Sequence, residues 1–169
     1  TDDMSADGKR RGKPYDNDLS PRLRRLLAVG KPREVGLFDE AEAEFTALRN
    51  AIADDGEASY RLMHKLLELH LYQPAIYAAR QVLDFAGMDD AATATAPAYF
   101  NHIRFGPYFG ELILPEAVRD GFDGLFLLSV VRQESLFEGF ATSYASARGL
   151  MQVIPGTGAM IARQLGWPP

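Results

Sequence analysis

The 169-residue chain contains no cysteine, which excludes disulfide bonds and cysteine-based catalysis. It also lacks an apolar run of the roughly 18 residues that a membrane-spanning helix needs, and Thr1 does not open a signal peptide. The formal net charge of −5 gives no basic field that would attract nucleic acid. Because 47% of the residues are hydrophobic, the chain can still bury the core of one or two small globular units.

Residue types that bind metals or phosphates are present, but not at the spacing that such sites need. His64 and His70 are six positions apart and do not form a metal pair on one helical face, and His102 is distant from both. The Pro-Gly-Thr-Gly run at 155–158 lacks the lysine of a phosphate-binding loop and suits the start of a helix. We therefore predict no metal and no cofactor, and packing or surface roles for the histidines.

Helical periodicity organises the first half of the chain. Apolar residues recur every three or four positions in three stretches, and the short breaks between them favour antiparallel helical hairpins. The stripes are Phe38, Ala41, Phe45, Leu48 and Ile52; then Leu62, Leu66, Leu67 and Leu69; then Ile76, Ala79, Val82, Leu83 and Ala86, with Gly87 ending the last. A further helix is predicted from Ser20 to Gly30. No segment shows convincing strand alternation, so we predict an all-α fold.

One acidic residue is conspicuous in the second half of the chain. The segment 123–137 has almost no polar face, which predicts a helix that runs through a core. Glu134 follows Val131 by three positions and therefore falls on an apolar side of that helix. Desolvation there would raise the proton affinity of the carboxylate, as a general acid working near neutral pH requires. Taken alone, Glu134 could equally be a surface glutamate paired with Arg132 or Arg148.

A collinear set of residues begins at Glu134 and continues without insertion to Thr157. Its members are Glu134, Ser135, Phe137, Ala141, Ser143, Ala145, Ala147, Gly149, Leu150, Met151, Gln152, Pro155 and Thr157. This order and spacing resemble the signature of the soluble lytic transglycosylase family, the lysozyme-like enzymes that cut bacterial peptidoglycan. So long a pattern is far more specific than a lone acidic residue.

The resemblance implies a role for each candidate site residue. Glu134 matches the only catalytic carboxylate of the family, and Ser143 matches a serine whose hydroxyl lies near it, although a turn-forming serine is the alternative. Gln152 matches a glutamine that lines the sugar groove. Met151 and Ile154 complete the predicted substrate-binding set, although Met151 also suits packing. Ile154 stands where the family usually has methionine, which puts subsite fit in doubt but not the chemistry.

The resemblance also implies a reaction, a substrate and a location. Glu134 would protonate the β-1,4 oxygen between N-acetylmuramic acid and N-acetylglucosamine in peptidoglycan, and a 1,6-anhydro ring would form without water. The protein would act in the bacterial cell envelope after export. A goose-type-lysozyme-like hydrolase is the nearest alternative, which the lack of a well-placed second carboxylate disfavours. A non-catalytic wall-binding or scaffold fragment is the other alternative.

The same resemblance predicts how the chain is divided. We expect a flexible polar tail at 1–17, tetratricopeptide-like helical hairpins at 18–90, a linker at 91–106 and the first part of a lysozyme-like domain at 107–169. Pro115 is expected to mark a kink or restart in that last part. Because the family's catalytic domain continues well past the signature, we expect its second half to be missing, with pairing to that half in another chain or self-association as the consequence.

Overall fold

The computed structural model describes residues 38–89 and 95–168, and these residues form seven α-helices. In chain order they are α1 (Phe38–Ala51), α2 (Gly56–Glu68), α3 (Tyr72–Phe85), α4 (Ala98–Arg104), α5 (Gly110–Asp120), α6 (Gly124–Ser135) and α7 (Pro155–Leu165). Within these ranges there is no β-strand, and the all-α prediction is confirmed. The predicted helix at 20–30 and the predicted tail at 1–17 lie outside the described residues.

Internal contacts divide the chain into two units, 1–48 and 49–169. The described part of the first unit is the beginning of α1, and the second unit holds all the residues discussed below. The segment 91–106, which we interpreted as a linker, contains helix α4. The Ala/Thr-rich composition ends at Ala96, and Pro97 caps the start of a helix whose Ile103 is buried. The proposed division into hairpin, linker and catalytic regions otherwise stays a prediction.

Helices α2 and α3 pack against each other and form the best buried part of the second unit. Asp55 begins α2 by accepting a hydrogen bond from the backbone N of Ala58 at 2.9 Å. Between the two helices, His70 adopts a left-handed backbone conformation with φ 56°. The buried apolar side chains are Ala58, Met63 and Leu66 from α2 and Ala75, Ile76, Ala78, Ala79 and Leu83 from α3. The three helices predicted from these stripes are confirmed. Of the stripe residues, Phe45, Leu66, Ile76, Ala79 and Leu83 are buried, whereas Ala86 is exposed.

Helices α5 and α6 follow each other closely. Helix α5 continues through Pro115, so the predicted restart is wrong. The proline is exposed, so water can reach the carbonyl whose helical hydrogen bond the proline removes. Gly121 ends α5 in a left-handed conformation with φ 73°. Asp123 then begins α6 by accepting a hydrogen bond from the backbone N of Phe126 at 2.7 Å.

One hydrophobic cluster joins α3, α5 and α6. Its buried members are Ile76, Ile113, Leu128, Val131 and Phe137. Beside it, the ring of Tyr108 stacks on Tyr72 with centroids 4.2 Å apart and meets Phe137 edge-on at 5.3 Å. Each such aromatic pair contributes roughly 0.5–1.5 kcal/mol beyond the area it buries. One side of α6 is therefore firmly packed against the helices that precede it.

Helix α7 begins with Pro155 at its first position, as the run at 155–158 predicted, and ends before Gly166, which has φ 66°. None of its residues is buried. Neither α7 nor any other helix of the described ranges is long and apolar enough to cross a membrane.

Candidate active site

Glu134 lies in the last turn of α6, one residue before the helix ends. Its side chain is exposed, so the expectation of a carboxylate in a dry, apolar setting is wrong for this chain. The buried residues of α6 are Leu128, Val131 and Ser135, and Glu134 lies outside that stripe. Glu134 forms no hydrogen bond or ion pair with any residue in the described ranges, so the alternative of an arginine-paired glutamate is not seen either.

The exposure of Glu134 follows from how α6 is packed. An almost wholly apolar helix predicts burial on all sides. In the described structure, however, α6 is covered mainly by α3 and α5, while Leu125 and Phe126 near its start face solvent. The sequence therefore predicted the helix correctly but overestimated how much of it the described residues surround.

The carboxylates that are near Glu134 in sequence have other partners or lie too far away. Glu138 accepts a hydrogen bond at 3.2 Å from a backbone N–H of its own loop. Asp123 caps the opposite end of α6, about 16 Å from Glu134 at the 1.5 Å rise of a helix. Asp120 is paired with Arg119, whose hydrogen bond lowers the pKa of Asp120. Paired glycosidase carboxylates lie roughly 5–9.5 Å apart, so Asp123 cannot be a second catalytic group.

The turn that follows Glu134 has an unusual backbone. Leu136 and Phe137 both adopt left-handed conformations, with φ of 48° and 64°. For residues other than glycine this costs on the order of 1 kcal/mol each, so the surroundings must hold the turn in place. Phe137 is buried in the core cluster, and the hydroxyl of Ser135 donates a hydrogen bond to the carbonyl oxygen of Leu150 at 3.0 Å. The sequence assigned no role to Ser135.

Gln152 organises the loop that faces this helix end. Its Nε2 donates to the carbonyl oxygens of Ala141 and Gly149 at 3.0 and 2.9 Å. Both amide hydrogens are thereby used, whereas its Oε1 is bonded to no described residue and can accept a hydrogen bond from a ligand. Leu150, two positions before Gln152, accepts a hydrogen bond from Ser135 at the end of the helix that carries Glu134. The loop is therefore attached to that helix end close to Gln152.

Ser143 lies in a tight turn of the same loop. Its hydroxyl accepts a hydrogen bond from the backbone N of Ala147 at 3.1 Å, and Ser146 adopts a left-handed backbone conformation with φ 60°. Within the described ranges no hydrogen bond joins Ser143 to Glu134. The geometry matches the alternative of a turn-forming serine, and a contact between its hydroxyl and Glu134 stays a prediction.

The end of the loop exposes apolar side chains. Two isolated antiparallel bridges, Thr142 with Arg148 and Arg148 with Val153, fold the loop back on itself. Met151 and Ile154 are 40% and 47% exposed, so the alternative that Met151 packs inside the protein is not seen among the described residues. Both residues predicted to contact substrate are accessible to a ligand.

Comparisons with known proteins match the part of the chain that contains this site. The family profile of the transglycosylase SLT domain matches residues 111–168. Membrane-bound lytic murein transglycosylase C from Haemophilus influenzae is 42% identical over 65 residues, which are 37% of this chain and 18% of the relative. The protein of the same name from Histophilus somni is 40% identical over 62 residues, 36% of this chain and 17% of the relative.

A solved structure extends the comparison to the helices before the matched segment. It is an inactive glutamate-to-glutamine mutant of lytic transglycosylase Slt from Pseudomonas aeruginosa, with a TM-score of 0.55 and 28% identity. The likeness covers 89% of this chain and 23% of that chain.

Residues 111–168 are therefore identified as a transglycosylase SLT domain, the domain of the lytic transglycosylase family. The described residues have the all-α, lysozyme-like fold of that family, and the matched segment 111–168 contains Glu134 and the other predicted site residues. The tetratricopeptide-like character of the preceding helices stays a prediction. The chain spans about a fifth of the length of the relatives that it matches, 18% for the Haemophilus influenzae protein.

Proposed function

We propose that the complete gene product containing this chain is a peptidoglycan lytic transglycosylase. It cleaves the β-1,4 bond between N-acetylmuramic acid and N-acetylglucosamine. The observation that carries this proposal is an exposed carboxylate, Glu134, that has no partner in the described ranges and lies inside the segment matched by the SLT family. A general acid must reach its substrate, and Glu134 can.

The proposed reaction uses Glu134 twice. As an acid, Glu134 gives its proton to the glycosidic oxygen, and the N-acetylglucosamine hydroxyl leaves. The acetamido group of the muramic residue stabilises C1 as the bond breaks. As a base, Glu134 then takes the proton of the muramic O6, which bonds to C1 and closes the 1,6-anhydro ring. Glu134 ends protonated again, and no water is consumed.

The lack of a second carboxylate supports this route over hydrolysis. Hydrolysis by a paired-carboxylate mechanism needs a second acidic group roughly 5–9.5 Å from the first. The described acids nearest in sequence cap a helix, pair with an arginine or bind their own loop. The inactivity of the glutamate-to-glutamine mutant of Slt further supports one essential carboxylate in this family.

The proposed substrate contacts come from the loop after α6. Gln152 would accept a sugar N–H or O–H through its Oε1, because its two amide hydrogens are already bonded. Met151 and Ile154 would cover an apolar sugar face, and Ser143 would reach Glu134 once substrate is bound. Because peptidoglycan lies in the cell envelope, the protein would have to be exported there to act on it. The curated relatives are named membrane-bound lytic murein transglycosylases.

Mass spectrometry of muropeptides released by the complete gene product tests the proposal. We expect fragments that end in 1,6-anhydro-N-acetylmuramic acid, one water lighter than hydrolysed fragments. Reducing-end products alone would instead identify a goose-type-lysozyme-like hydrolase. Binding to peptidoglycan without any release would identify a wall-binding or scaffold protein.

A further inference from the structure

The last turn of α6 is bonded to other helices on both sides of Glu134. Arg132, two residues before it, is bonded to the end of α4, and Ser135, the residue after it, to the start of α3. These hydrogen bonds join residues 28 and 62 positions apart in sequence. Neither bond is needed to form α6 itself, so both fix where the helix end lies.

The guanidinium of Arg132 makes the shorter of the two bonds. Its Nε donates to the carbonyl oxygen of Arg104 at 2.9 Å, and its Cζ lies 4.6 Å from the ring centroid of Phe105. Burial lowers the pKa of Arg132, and the positive charge of Arg104 lowers it further. A half-buried cation next to a like charge is unfavourable, and no carboxylate in the described ranges offsets it. Packing alone would be better served by an apolar side chain.

The amide of Gln73 makes the second bond. Its Nε2 donates to the carbonyl oxygen of Ser135 at 3.4 Å, a long and therefore weak hydrogen bond. The last carbonyls of a helix have no helical partner, so an external donor can fix their direction. The peptide group involved directly follows Glu134.

The strained turn after Glu134 explains why such anchors matter. Two successive left-handed residues, Leu136 and Phe137, persist only while their surroundings hold them. If an anchor is removed, the turn can relax, and the last turn of α6 rotates with it. A displacement of about 1 Å at a reacting group can cost about 10²-fold in rate.

We propose that Arg132 and Gln73 are positioning residues that hold Glu134 in its catalytic orientation from helices α4 and α3. The inference rests on the proposed acid-base role of Glu134. It makes the helices that precede the matched segment 111–168 part of the catalytic apparatus rather than a spacer.

Kinetics of the complete gene product on purified peptidoglycan test this inference. Arg132→Met keeps an apolar stem over Phe105 but removes the Nε donor, and Arg132→Lys keeps the charge but also removes that donor. We expect kcat to fall about ten- to a hundredfold in both variants, with KM changed by less than about threefold. Gln73→Ala should lower kcat by about two- to fivefold, because its bond is weaker.

Gln81→Ala is the matched control on the same helix. Gln81 donates to the carbonyl oxygen of Arg49 at 3.0 Å and to the hydroxyl of Ser59 at 2.8 Å, both away from the end of α6. Its loss should lower Tm more than Gln73→Ala does, while kcat stays at the wild-type value. This opposite pattern separates positioning of Glu134 from general stability.

Three results would overturn the inference: wild-type kcat in both Arg132 variants, a loss of kcat in Arg132→Met but not in Arg132→Lys, or an equal loss of kcat in Gln81→Ala. The second result would assign the effect to the charge of Arg132 rather than to its bond.

Glu134→Gln in the same assay distinguishes failure of this inference from failure of the proposed function. If Glu134→Gln remains active, the proposed function itself fails; if it is inactive while both Arg132 variants work fully, only the positioning role fails.

Discussion

The hairpin of α2 and α3 and the segment from α5 to α7 bury their apolar residues to different extents. Leu66 in α2 is 1% exposed, whereas Val118 in α5 and Leu125 in α6 are 81% and 75% exposed. Full burial of such a side chain is worth roughly 1.5–3 kcal/mol. The hairpin is thus a completed hydrophobic core, whereas the segment that carries Glu134 is ordered mainly by its contacts with the preceding helices.

The residues that stabilise the fold are therefore largely separate from the candidate catalytic residue. The hairpin holds half of the buried apolar side chains of the described residues, and the candidate catalytic group lies at the exposed end of α6. Substitutions in the hairpin should therefore reduce the free energy of unfolding, and substitutions at the end of α6 should reduce catalytic rate. The predictions below test that division, beginning with the largest effect.

Glu134→Gln should nearly abolish turnover by the complete gene product. Glutamine keeps the shape of the side chain but has no transferable proton, and general acid-base catalysis contributes typically 10²- to 10⁴-fold. Because the described acids nearest to Glu134 in sequence have other partners or lie at the far end of α6, we expect a loss near the upper end of that range, measured by release of anhydro-muropeptides. The exposed position of Glu134 predicts an unchanged Tm.

Glu138→Gln is the control for that prediction. Its carboxylate accepts a hydrogen bond within its own loop, and an amide oxygen can accept the same bond. The rate should stay within a few-fold of wild type. A rate above about a tenth of wild type for Glu134→Gln would contradict the assigned role.

Leu66→Ala should destabilise the chain far more than Leu125→Ala. Truncation of a buried leucine costs about 2–5 kcal/mol, because apolar contacts are lost and a cavity remains. The same truncation at an exposed helical position usually changes stability by less than about 0.5 kcal/mol. Urea unfolding of the two variants measures the difference, and similar shifts in midpoint would show that the hairpin is not the more stable region.

The sequence predicted the helices well because their signals are local. Apolar periodicity predicted α1 to α3, Asp123 marked the start of α6, and the run at 155–158 marked the start of α7. These features depend on neighbours within a few positions. The failure at Pro115 has a different origin, because the effect of a proline also depends on whether water can reach the freed carbonyl, and Pro115 is exposed.

The candidate site was predicted less completely because its geometry depends on distant residues. The signature identified Glu134 and Gln152, but periodicity placed Glu134 on a buried face that the described structure leaves open. Nothing in Leu136 or Phe137 signals a left-handed backbone, which usually favours glycine or asparagine. The bond from Gln73 crosses 62 positions and has no sequence signal.

Residues 1–169 alone should self-associate and should cleave peptidoglycan poorly. Exposed apolar side chains of α5 and α6, including Val118 and Leu125, form a surface that favours association. Val118→Lys combined with Leu125→Glu should shift the mass in analytical ultracentrifugation toward the monomer, since each charge suits the helix end where it is placed.

Arg61→Glu, on an exposed face of α2, is the matched control and should leave the association unchanged. A purified wild-type chain that stays monomeric and lyses cell walls efficiently would contradict the prediction. That result would mean that these residues hold the sugar without any further covering.

The smallest effect is expected at Tyr108, where the two regions meet. Burial raises the pKa of Tyr108 to about 12, and its hydroxyl donates to the carbonyl oxygen of Ile103 at 2.7 Å. Because the folded state holds this proton more tightly than the unfolded state, the contribution to stability is complete below pH 10 and is lost as the pH rises toward 12. Tyr108→Phe should remove the latest phase of the tyrosine absorbance titration and flatten the fall in stability over that range. Tyr144→Phe, which removes a fully exposed phenol, should leave the late phase in place. If the late phase disappeared in Tyr144→Phe, Tyr108 would not be the group responsible for it.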